Sequence, residues 1–253
     1  MGRLEGKVAF ITGATGGIGK MSSIMFAKEG AKVAVAGRRA DEGNEVVKEI
    51  KAAGGEAIFV QTDVTEPESV ERSIKKTVEA FGKLNVLYNN AGGSRPTDGP
   101  VTVTPIEEFW LTIKLDLFGT YVCCKYAIPE MIKAGGGSII NTGSIMGSIG
   151  MPNRDAYTAA KGGVVALTKS LAFEYGEHGI RSNVIVPGTV KTPRVMKMLA
   201  TEVAIQKQVS QYLMGLIEPQ DVTYAAIYLA SDESLRTTAQ TIGVDSGFLN
   251  THK

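Results

Sequence analysis

The sequence has few of the residues that build disulfide frameworks or metal sites. Of its 253 residues only two are cysteine and two are histidine. Cys123 and Cys124 are adjacent, which gives no spacing for a disulfide framework or a zinc site and favours a reducing compartment. Because His178 and His252 stand in no cluster of ligand residues, we expect no metal and disfavour a metal-dependent hydrolase.

The sequence also lacks long apolar runs, an excess of one charge and a leader pattern. No apolar stretch approaches the ~18 residues of a membrane span. The first residues do not show the basic, apolar and small-residue stages of a signal peptide. Because the net charge is +1, with both signs spread along the chain, nucleic acid and membrane surfaces are disfavoured as partners. We expect a cytoplasmic protein that binds small molecules.

No repeat, low-complexity tract or Pro/Ser-rich hinge divides the chain. Its length and 43% hydrophobic content suit one α/β domain over residues 1–253. The 30 glycines cluster at the ends of apolar runs, where they indicate turns.

Seven short runs rich in Val, Ile and Ala alternate with segments long enough for helices. They are residues 7–12, 32–36, 57–60, 85–89, 138–141, 182–186 and 241–244. Most of them are continuously apolar, as strands buried on both faces require. The pattern predicts an α/β fold of the doubly wound type with a parallel sheet of about seven strands. In such a sheet ligands bind beyond the carboxyl ends of the strands.

A glycine-rich turn follows the first predicted strand and opens a helix, since residues 12–19 read TGATGGIG. Glycine permits a tight turn there, so that backbone N–H groups and the positive end of a helix can face a pyrophosphate. A glycine-rich turn alone can be an ordinary loop, and its position after the first strand is what predicts phosphate binding. The residues expected to contact a cofactor are Gly13, Thr15, Gly17, Ile18 and Gly19.

The second predicted strand is followed by Arg38 and Arg39 rather than by an acidic residue that would bind a ribose 2′-OH. Arginine can pair with a 2′-phosphate, so the pattern favours NADP over NAD. The alternative is that both arginines are solvated loop charges. Asp63, after the third strand, either accepts a hydrogen bond from the adenine amino group or caps the following helix.

Tyr157 and Lys161 are four residues apart and share one face of a predicted helix. Tyr121 and Lys125 have the same spacing, so the pair alone proves little. Ser144 lies at the end of the fifth predicted strand, where side chains meet a cofactor, whereas Tyr121 has apolar neighbours and is expected in the core. Context therefore favours Tyr157 and Lys161 as the catalytic pair.

The expected chemistry is proton exchange by the Tyr157 phenol. Its reference pKa of ~10 must fall by ~3 units, or ~4 kcal/mol, to exchange protons near neutrality. One ammonium ~4 Å away at an effective dielectric constant of ~20 supplies about that energy, so Lys161 suffices in principle. Ser144 would hydrogen-bond the substrate oxygen while Tyr157 donates the proton and a nicotinamide delivers hydride.

Taken together, these residues resemble the short-chain dehydrogenase/reductase family over nearly the whole chain. The motifs that carry the resemblance occur in the family's order: residues 12–19, Asn89-Asn90-Ala91-Gly92, Ser144, Tyr157 with Lys161, and Pro187-Gly188 followed by Thr192. The resemblance implies a Rossmann fold, a homotetramer, and a nicotinamide ribose held by Lys161. It also implies that Asn90, Thr192, Val64, Pro187, Gly188 and Val190 lie near the cofactor.

One position departs from the family pattern. Where the family usually has an asparagine that completes a catalytic tetrad, this chain has Asp116 in Lys114-Leu115-Asp116-Leu117-Phe118-Gly119. The family role rests largely on a backbone carbonyl that holds a water in a proton relay, and any residue supplies a carbonyl. The carboxylate loses the donors of an amide and adds charge beside Lys161, which is expected to weaken the relay.

The leading hypothesis is an NADP-dependent carbonyl reductase or alcohol dehydrogenase. The alternative is a nucleotide-binding regulatory or scaffold protein of the same fold with impaired chemistry. Residues 193–217, with Met196, Met198 and Met214, are either a helical lid over the substrate pocket or a packing excursion. This segment, with residues 93–100 and 145–154, is expected to give the pocket an apolar wall with few polar anchors. The substrate itself is left open.

Overall fold

The computed structural model describes residues 2–251, and it contains a seven-stranded sheet. The strands are β1 (Val8–Thr12), β2 (Lys32–Gly37), β3 (Glu56–Gln61), β4 (Val86–Asn89), β5 (Gly137–Thr142), β6 (Ile180–Pro187) and β7 (Thr241–Val244). They are all parallel, in the order β3-β2-β1-β4-β5-β6-β7. This confirms the predicted doubly wound sheet, and each predicted run lies on one strand with bounds no more than two residues away.

Helices connect the strands and cover both faces of the sheet. They are α1 (Gly17–Lys28), α2 (Ala40–Ala52), α3 (Pro67–Phe81), α4 (Ile106–Ile113), α5 (Gly119–Lys133), α6 (Asp155–Tyr175), α7 (Pro193–Leu199), α8 (Glu202–Val209) and α9 (Pro219–Ala230). A π-helical turn, Lys114–Phe118, joins α4 to α5. Short 3₁₀ turns lie at Ile145–Gly147, Gly176–His178 and Asp232–Ser234. Within residues 2–251, no helix combines the length and apolar character that crossing a bilayer requires.

The core has two halves because successive side chains of each strand point to opposite faces. Ile11 of β1 packs in the half that includes residues of α1, α2 and α9. Its neighbour Phe10 packs in the half that includes residues of α3 and α5. Burial on both faces explains why most of the strands are continuously apolar rather than alternating.

The strand order reverses on either side of β1, because the chain runs outward through β2 and β3 and then returns to add β4 on the other side. Loops that leave the carboxyl ends of β1 and β4 therefore diverge and leave a crevice between them. Asn90, directly after β4, donates from its side-chain amide to the carbonyl oxygen of Thr12 at 3.0 Å. The predicted site residues are positioned by this edge of the sheet.

Candidate active site

A cavity of about 900 Å³ lies beyond the carboxyl ends of the strands. Most of the predicted site residues line it: Gly13, Thr15, Gly17, Ile18, Arg38, Asp63, Val64, Asn90, Ser144, Tyr157, Lys161, Pro187, Gly188, Val190 and Thr192. Gly19 and Asp116 do not line the cavity, but both contact residues that do. One continuous space thus joins the glycine loop to the tyrosine and lysine.

The glycine loop has a backbone that other residues would not adopt easily. Gly13 and Gly17 have φ angles of +63° and +52°. A Cβ on Gly19 would lie 2.3 Å from the carbonyl oxygen of Gly13, so the turn closes only with glycine there. At the N-cap of α1, Gly16 brings no capping side chain. The first N–H groups of the helix therefore have no side-chain acceptor and lie at the cavity wall.

The same loop is narrow enough to suit a pyrophosphate. A Cβ on Gly17 would lie 3.1 Å from Cγ2 of Thr192, so a side chain at this position would fill the gap between the loop and the segment after β6. Backbone approach, a helix N-terminus and a long cavity are the features that fit a dinucleotide. The residues present therefore fit a nicotinamide dinucleotide.

Cations surround the end of the cavity beside β2. Arg38, Arg39 and Lys20 all line it. Arg39 donates to Oγ1 of Thr15 and to Glu42, both at 2.9 Å. Arg38 is largely exposed, and its nearest carboxylate oxygen, on Asp63, is 3.9 Å away. Both uses of Arg38 proposed from the sequence, a solvated charge or a phosphate ligand, are compatible with this exposure.

The alternative that Asp63 caps a helix is wrong. Helix α3 begins at Pro67 with Glu66 as its N-cap. Oδ1 of Asp63 instead accepts from the backbone N–H and the hydroxyl of Thr65, at 3.0 and 2.8 Å. The carboxylate thus shapes the turn after β3, and Asp63 also lines the cavity.

Ser144, Tyr157 and Lys161 meet at one side of the cavity. Ser144 caps the 3₁₀ turn after β5 and accepts from the N–H of Met146 at 3.2 Å, and its hydroxyl is close enough to Tyr157 to lower the pKa of the phenol. Nζ of Lys161 lies 5.6 Å from the centre of the Tyr157 ring. Nζ also donates to the carbonyl oxygen of Thr142 at 2.8 Å, which ties it to the end of β5. Helix α6 and the turn after β5 therefore bring the three side chains together.

Asp116 forms a buried ion pair with Lys161. Its Oδ1 lies 3.1 Å from Nζ of Lys161, and the two side chains are 0% and 3% exposed. Oδ1 also accepts from the N–H of Gly93 at 2.8 Å. The other oxygen, Oδ2, is buried and has no hydrogen-bond partner. The negative charge of Asp116, expected beside Lys161, therefore acts on the lysine by direct contact.

The π-helical turn and a glycine make room for this ion pair. Asp116 lies in the turn, a local widening of the helix that often marks a functional site. A Cβ on Gly92 would lie 2.3 Å from Oδ1 of Asp116, so only glycine fits opposite it. The backbone carbonyl of Asp116, to which the family resemblance assigns the relay water, accepts from the Thr120 hydroxyl at 3.1 Å.

The pKa of Tyr157 differs from the sequence expectation in direction. Burial raises the pKa of its phenol, the charge of Lys161 lowers it, and the charge of Asp116 raises it again, so that the pKa is above its ordinary value. Burial lowers the pKa of Lys161, but Asp116 and Tyr157 outweigh that effect and raise it. Asp116 offsets part of the positive charge that the sequence argument assigned wholly to the tyrosine.

The second tyrosine, Tyr121, is not where the sequence placed it. Tyr121 was expected in the core, but it is 53% exposed on α5. Its apolar neighbours Val122 and Cys123 point to the buried side of the helix instead. Lys125 is exposed and lies 6.0 Å from the ring of Tyr126, not over Tyr121.

The substrate side of the cavity combines apolar side chains, as predicted, with two arginines. The residues of the expected segments that line the cavity are Gly93, Ser94, Met146, Arg154, Pro193, Arg194, Val195 and Met198. The two arginines give this wall a positive charge. Arg194 lies two residues after Thr192 and Arg154 lies three residues before Tyr157, so position relative to these motifs could have identified them.

Residues 193–217 contain the helices α7 and α8 and, as predicted, no strand beyond a single bridge from Ile217 to Val190. Within residues 2–251 no three His, Cys, Asp or Glu side chains are grouped to hold a metal ion. His252 lies outside the described residues. Both cysteines are free and buried, and burial raises the pKa of Cys124 to about 12.

Comparison with known proteins places this site in context. A family model described as "Enoyl-(Acyl carrier protein) reductase" matches residues 13–249. The chain is 38% identical over 247 residues to the 2,5-dichloro-2,5-cyclohexadiene-1,4-diol dehydrogenase LinX of Sphingobium indicum, with 97% of each chain covered. It is 36% identical over 249 residues to the 3-oxoacyl-[acyl-carrier-protein] reductase FabG of Thermotoga maritima, with 98% of this chain and 99% of the relative covered.

Solved structures agree with the fold. The crystal structure of a short-chain type dehydrogenase/reductase from Mycobacterium marinum matches with a TM-score of 0.92 at 33% sequence identity. The match covers 98% of this chain and 97% of that chain. The likeness therefore extends over the sheet, the glycine loop and the segment of residues 193–217.

Proposed function

The chain belongs to the short-chain dehydrogenase/reductase family, and we propose that it is an NADP-dependent oxidoreductase. It transfers a hydride between the nicotinamide and a ketone or secondary alcohol, with Tyr157 as the acid/base. The observation that carries the proposal is that Ser144, Tyr157 and Lys161 line the same cavity as the glycine loop. The named relatives, a diol dehydrogenase and an oxoacyl reductase, support the reaction class.

When bound, the nicotinamide supplies or accepts the hydride, and its oxidised form adds a positive charge. The chain's own residues manage the proton. In reduction the hydroxyl of Tyr157 donates its proton to the substrate oxygen, while Ser144 hydrogen-bonds the same oxygen as negative charge develops on it. In oxidation the tyrosinate removes the proton from the alcohol. The position of Ser144 and Tyr157 on the wall of one cavity supports this division of work.

Lys161 does not itself exchange the proton. It provides a positive charge at a fixed position in the site. It is anchored by the carbonyl of Thr142 and by Asp116, so its ammonium stays fixed beside the tyrosine. Because Asp116 offsets that charge, Tyr157 remains protonated over a wide range of pH. A protonated phenol is the form needed to reduce a carbonyl. We propose that the site favours reduction at neutral pH and needs higher pH for oxidation.

The preference for NADP rests on the cations beside β2. Arg38, Arg39 and Lys20 line this end of the cavity, and the carboxylate oxygen nearest to Arg38, on Asp63, is 3.9 Å away. A 2′-phosphate there would gain charge-assisted hydrogen bonds from a guanidinium. NAD has only a hydroxyl at that place and would gain little from these cations.

Cofactor titration tests this preference. Fluorescence titration of the purified chain is expected to give tighter binding of NADPH than of NADH. Arg38→Ala is expected to weaken NADPH binding on the order of tenfold and to leave NADH binding unchanged. Arg72→Ala is the matched control, since Arg72 is an exposed arginine of α3 outside the cavity wall. Equal binding of both cofactors would contradict the preference, and binding of neither would contradict the dehydrogenase function.

The second candidate function is a nucleotide-binding regulatory or scaffold protein with impaired chemistry. The observation in its favour is the buried Asp116, which competes with Tyr157 for the charge of Lys161. Such a protein would bind NADPH and show no turnover with any carbonyl. Turnover that is lost in Tyr157→Phe would exclude it.

The assembly and architecture are proposed on the same basis. Several large apolar side chains are exposed on the helices next to the site, among them Trp110 and Phe173 at 61% and 91%. Exposed apolar faces of this kind suit contacts between copies, so we propose a homotetramer. We further propose a single cytoplasmic domain in which residues 193–217 act as a lid, since α7 contributes Met198 to the cavity wall.

A further inference from the structure

Two arginines on the substrate side of the cavity have no carboxylate partner. Arg154 and Arg194 line the same cavity wall as Ser144 and Tyr157. The guanidinium of Arg194 donates to the carbonyl oxygens of Gly93 and Ser94. None of the ion pairs among residues 2–251 includes either arginine. Two positive charges therefore face the catalytic tyrosine without compensation from nearby acids.

The carboxylates near Arg154 are engaged elsewhere. Arg154 donates to the backbone carbonyl of Asp98 at 3.0 Å, not to its side chain. The carboxylate of Asp98 accepts from the backbone N–H groups of Ala156 and Tyr157, at 3.2 and 2.9 Å. That of Asp155 accepts from the N–H of Val101 at 2.8 Å. The acids shape the start of α6 and leave the arginine charge free.

A third arginine nearby shows the contrast. Arg95 directly follows Ser94, but its Nε lies 2.5 Å from the carboxylate of the buried Glu108, and Arg95 is not part of the cavity wall. An arginine with a structural role in this loop is thus neutralised. The charges of Arg154 and Arg194, which line the substrate side of the cavity, are not neutralised in this way.

Each guanidinium also retains unused donors. The hydrogen bonds of Arg194 leave from Nη2 alone and those of Arg154 from Nη1 alone. A guanidinium has five N–H groups in a planar fork that matches a carboxylate or a phosphate. Binding such a group requires no loss of the contacts that hold the side chains in place.

We propose that Arg154 and Arg194 bind an anionic oxygen group of the substrate, a carboxylate or a phosphate, so that the substrate is an anionic ketone or secondary alcohol. This inference rests on the proposed oxidoreductase function and names its substrate class. Arg194 bonds the loop after β4, at Gly93 and Ser94, and no hydrogen bond joins it to the glycine loop of residues 13–17. Its contacts therefore place it with the substrate and not with the pyrophosphate of the cofactor.

The experiment compares matched substrates and matched variants. The purified chain with NADPH is given a series of oxo acids of increasing length, the methyl ester of each, and dihydroxyacetone with its phosphate. The variants are Arg194→Gln and Arg154→Gln. Lys197→Gln is the control, because Lys197 is an exposed cation of the same helix as Arg194 and lies outside the cavity wall.

The anionic member of at least one pair is expected to have the higher kcat/KM. Each arginine variant is expected to lower that value on the order of tenfold to a hundredfold, mainly through KM, with the neutral member changed less than about twofold. Which pair shows the preference distinguishes a carboxylate from a phosphate. As a readout besides activity, only anionic members should raise the thermal unfolding midpoint of the NADPH complex, and less so in the arginine variants.

Equal kcat/KM for the anionic and neutral members overturns this inference and leaves the oxidoreductase function intact. Loss of NADPH affinity in Arg194→Gln, with both members of a pair affected alike, also overturns it and assigns the arginine to the cofactor. If no compound is turned over, the thermal measurement decides, because stabilisation by anionic members alone still supports the anion site and its absence refutes it. Failure of the oxidoreductase function would be seen separately, as absent NADPH binding.

Discussion

Two tyrosine–lysine pairs in this chain have the same spacing, Tyr157 with Lys161 on α6 and Tyr121 with Lys125 on α5. They differ in how far their side chains are buried. Tyr157 is half-buried, and its lysine, Lys161, is 3% exposed. Tyr121 is 53% exposed, and its lysine, Lys125, lies in water. A charge in water at ~4 Å contributes only about 1 kcal/mol, whereas the same charge near a protein interior contributes several times more. Spacing puts the two groups on one helix face, and burial decides how strongly the charge of the lysine acts on the tyrosine.

The two pairs are expected to differ most in the effect on kcat of removing the tyrosine hydroxyl. Tyr157→Phe is expected to lower kcat by a factor on the order of 10²–10⁴, because the proton donor is lost. Tyr121→Phe is expected to leave kcat unchanged. Steady-state hydride transfer followed by NADPH absorbance measures both, and comparable activity in the two variants would remove the assigned role of Tyr157.

Removal of each lysine is expected to change the free energy of unfolding by very different amounts. Lys161→Met leaves the buried Asp116 without its cation and is expected to reduce the free energy of unfolding by about 3–5 kcal/mol, together with a loss of turnover. Lys125→Met changes an exposed side chain and is expected to stay within about 0.5 kcal/mol. Urea unfolding of the two variants measures the difference.

A double variant provides the control for that interpretation. In the double variant Asp116→Asn with Lys161→Met, neither charge of this ion pair remains. Part of the lost stability is therefore expected to return. If the double variant is as unstable as Lys161→Met alone, the cost lies in packing and not in the unpaired carboxylate.

The smallest effect is expected for Asp116→Asn alone. Asp116 raises the pKa of Tyr157, so removing its charge favours the tyrosinate and lowers that pKa. In the oxidation direction, where the tyrosinate is the base, the rising limb of the pH profile of kcat should move to lower pH. An unchanged profile would mean that the ion pair does not reach the tyrosine, and a large rise in turnover would mean that the natural aspartate impairs catalysis.

Much of the fold was predictable because its determinants are local. Continuous apolar runs identified all seven strands, and glycine-rich turns identified the loop after β1. The position of Ser144 after β5 followed from the same pattern. These features depend on a few consecutive residues, so a sequence contains them in full.

The errors arose where distant segments meet. Tyr121 was misplaced because apolar neighbours on a helix do not say which side faces the sheet. The pKa of Tyr157 was expected to fall because only the charge of Lys161 was weighed, whereas burial of the phenol, and after it the charge of Asp116, raise that pKa. The polar groups of the substrate wall were not identified by residue, because Arg154 and Arg194 come from segments 40 positions apart that meet only in the folded chain.

The sequence by itself determined the strand pattern, the glycine loop and the identity of the groups that can exchange a proton. Only the tertiary structure decided which tyrosine is buried beside a lysine, what Asp116 contacts and which arginines lack a carboxylate. The physical reason is that spacing along the chain sets which side chains share a helix face. Electrostatic energy depends in addition on burial and on charges brought in from other elements, and these exist only after folding.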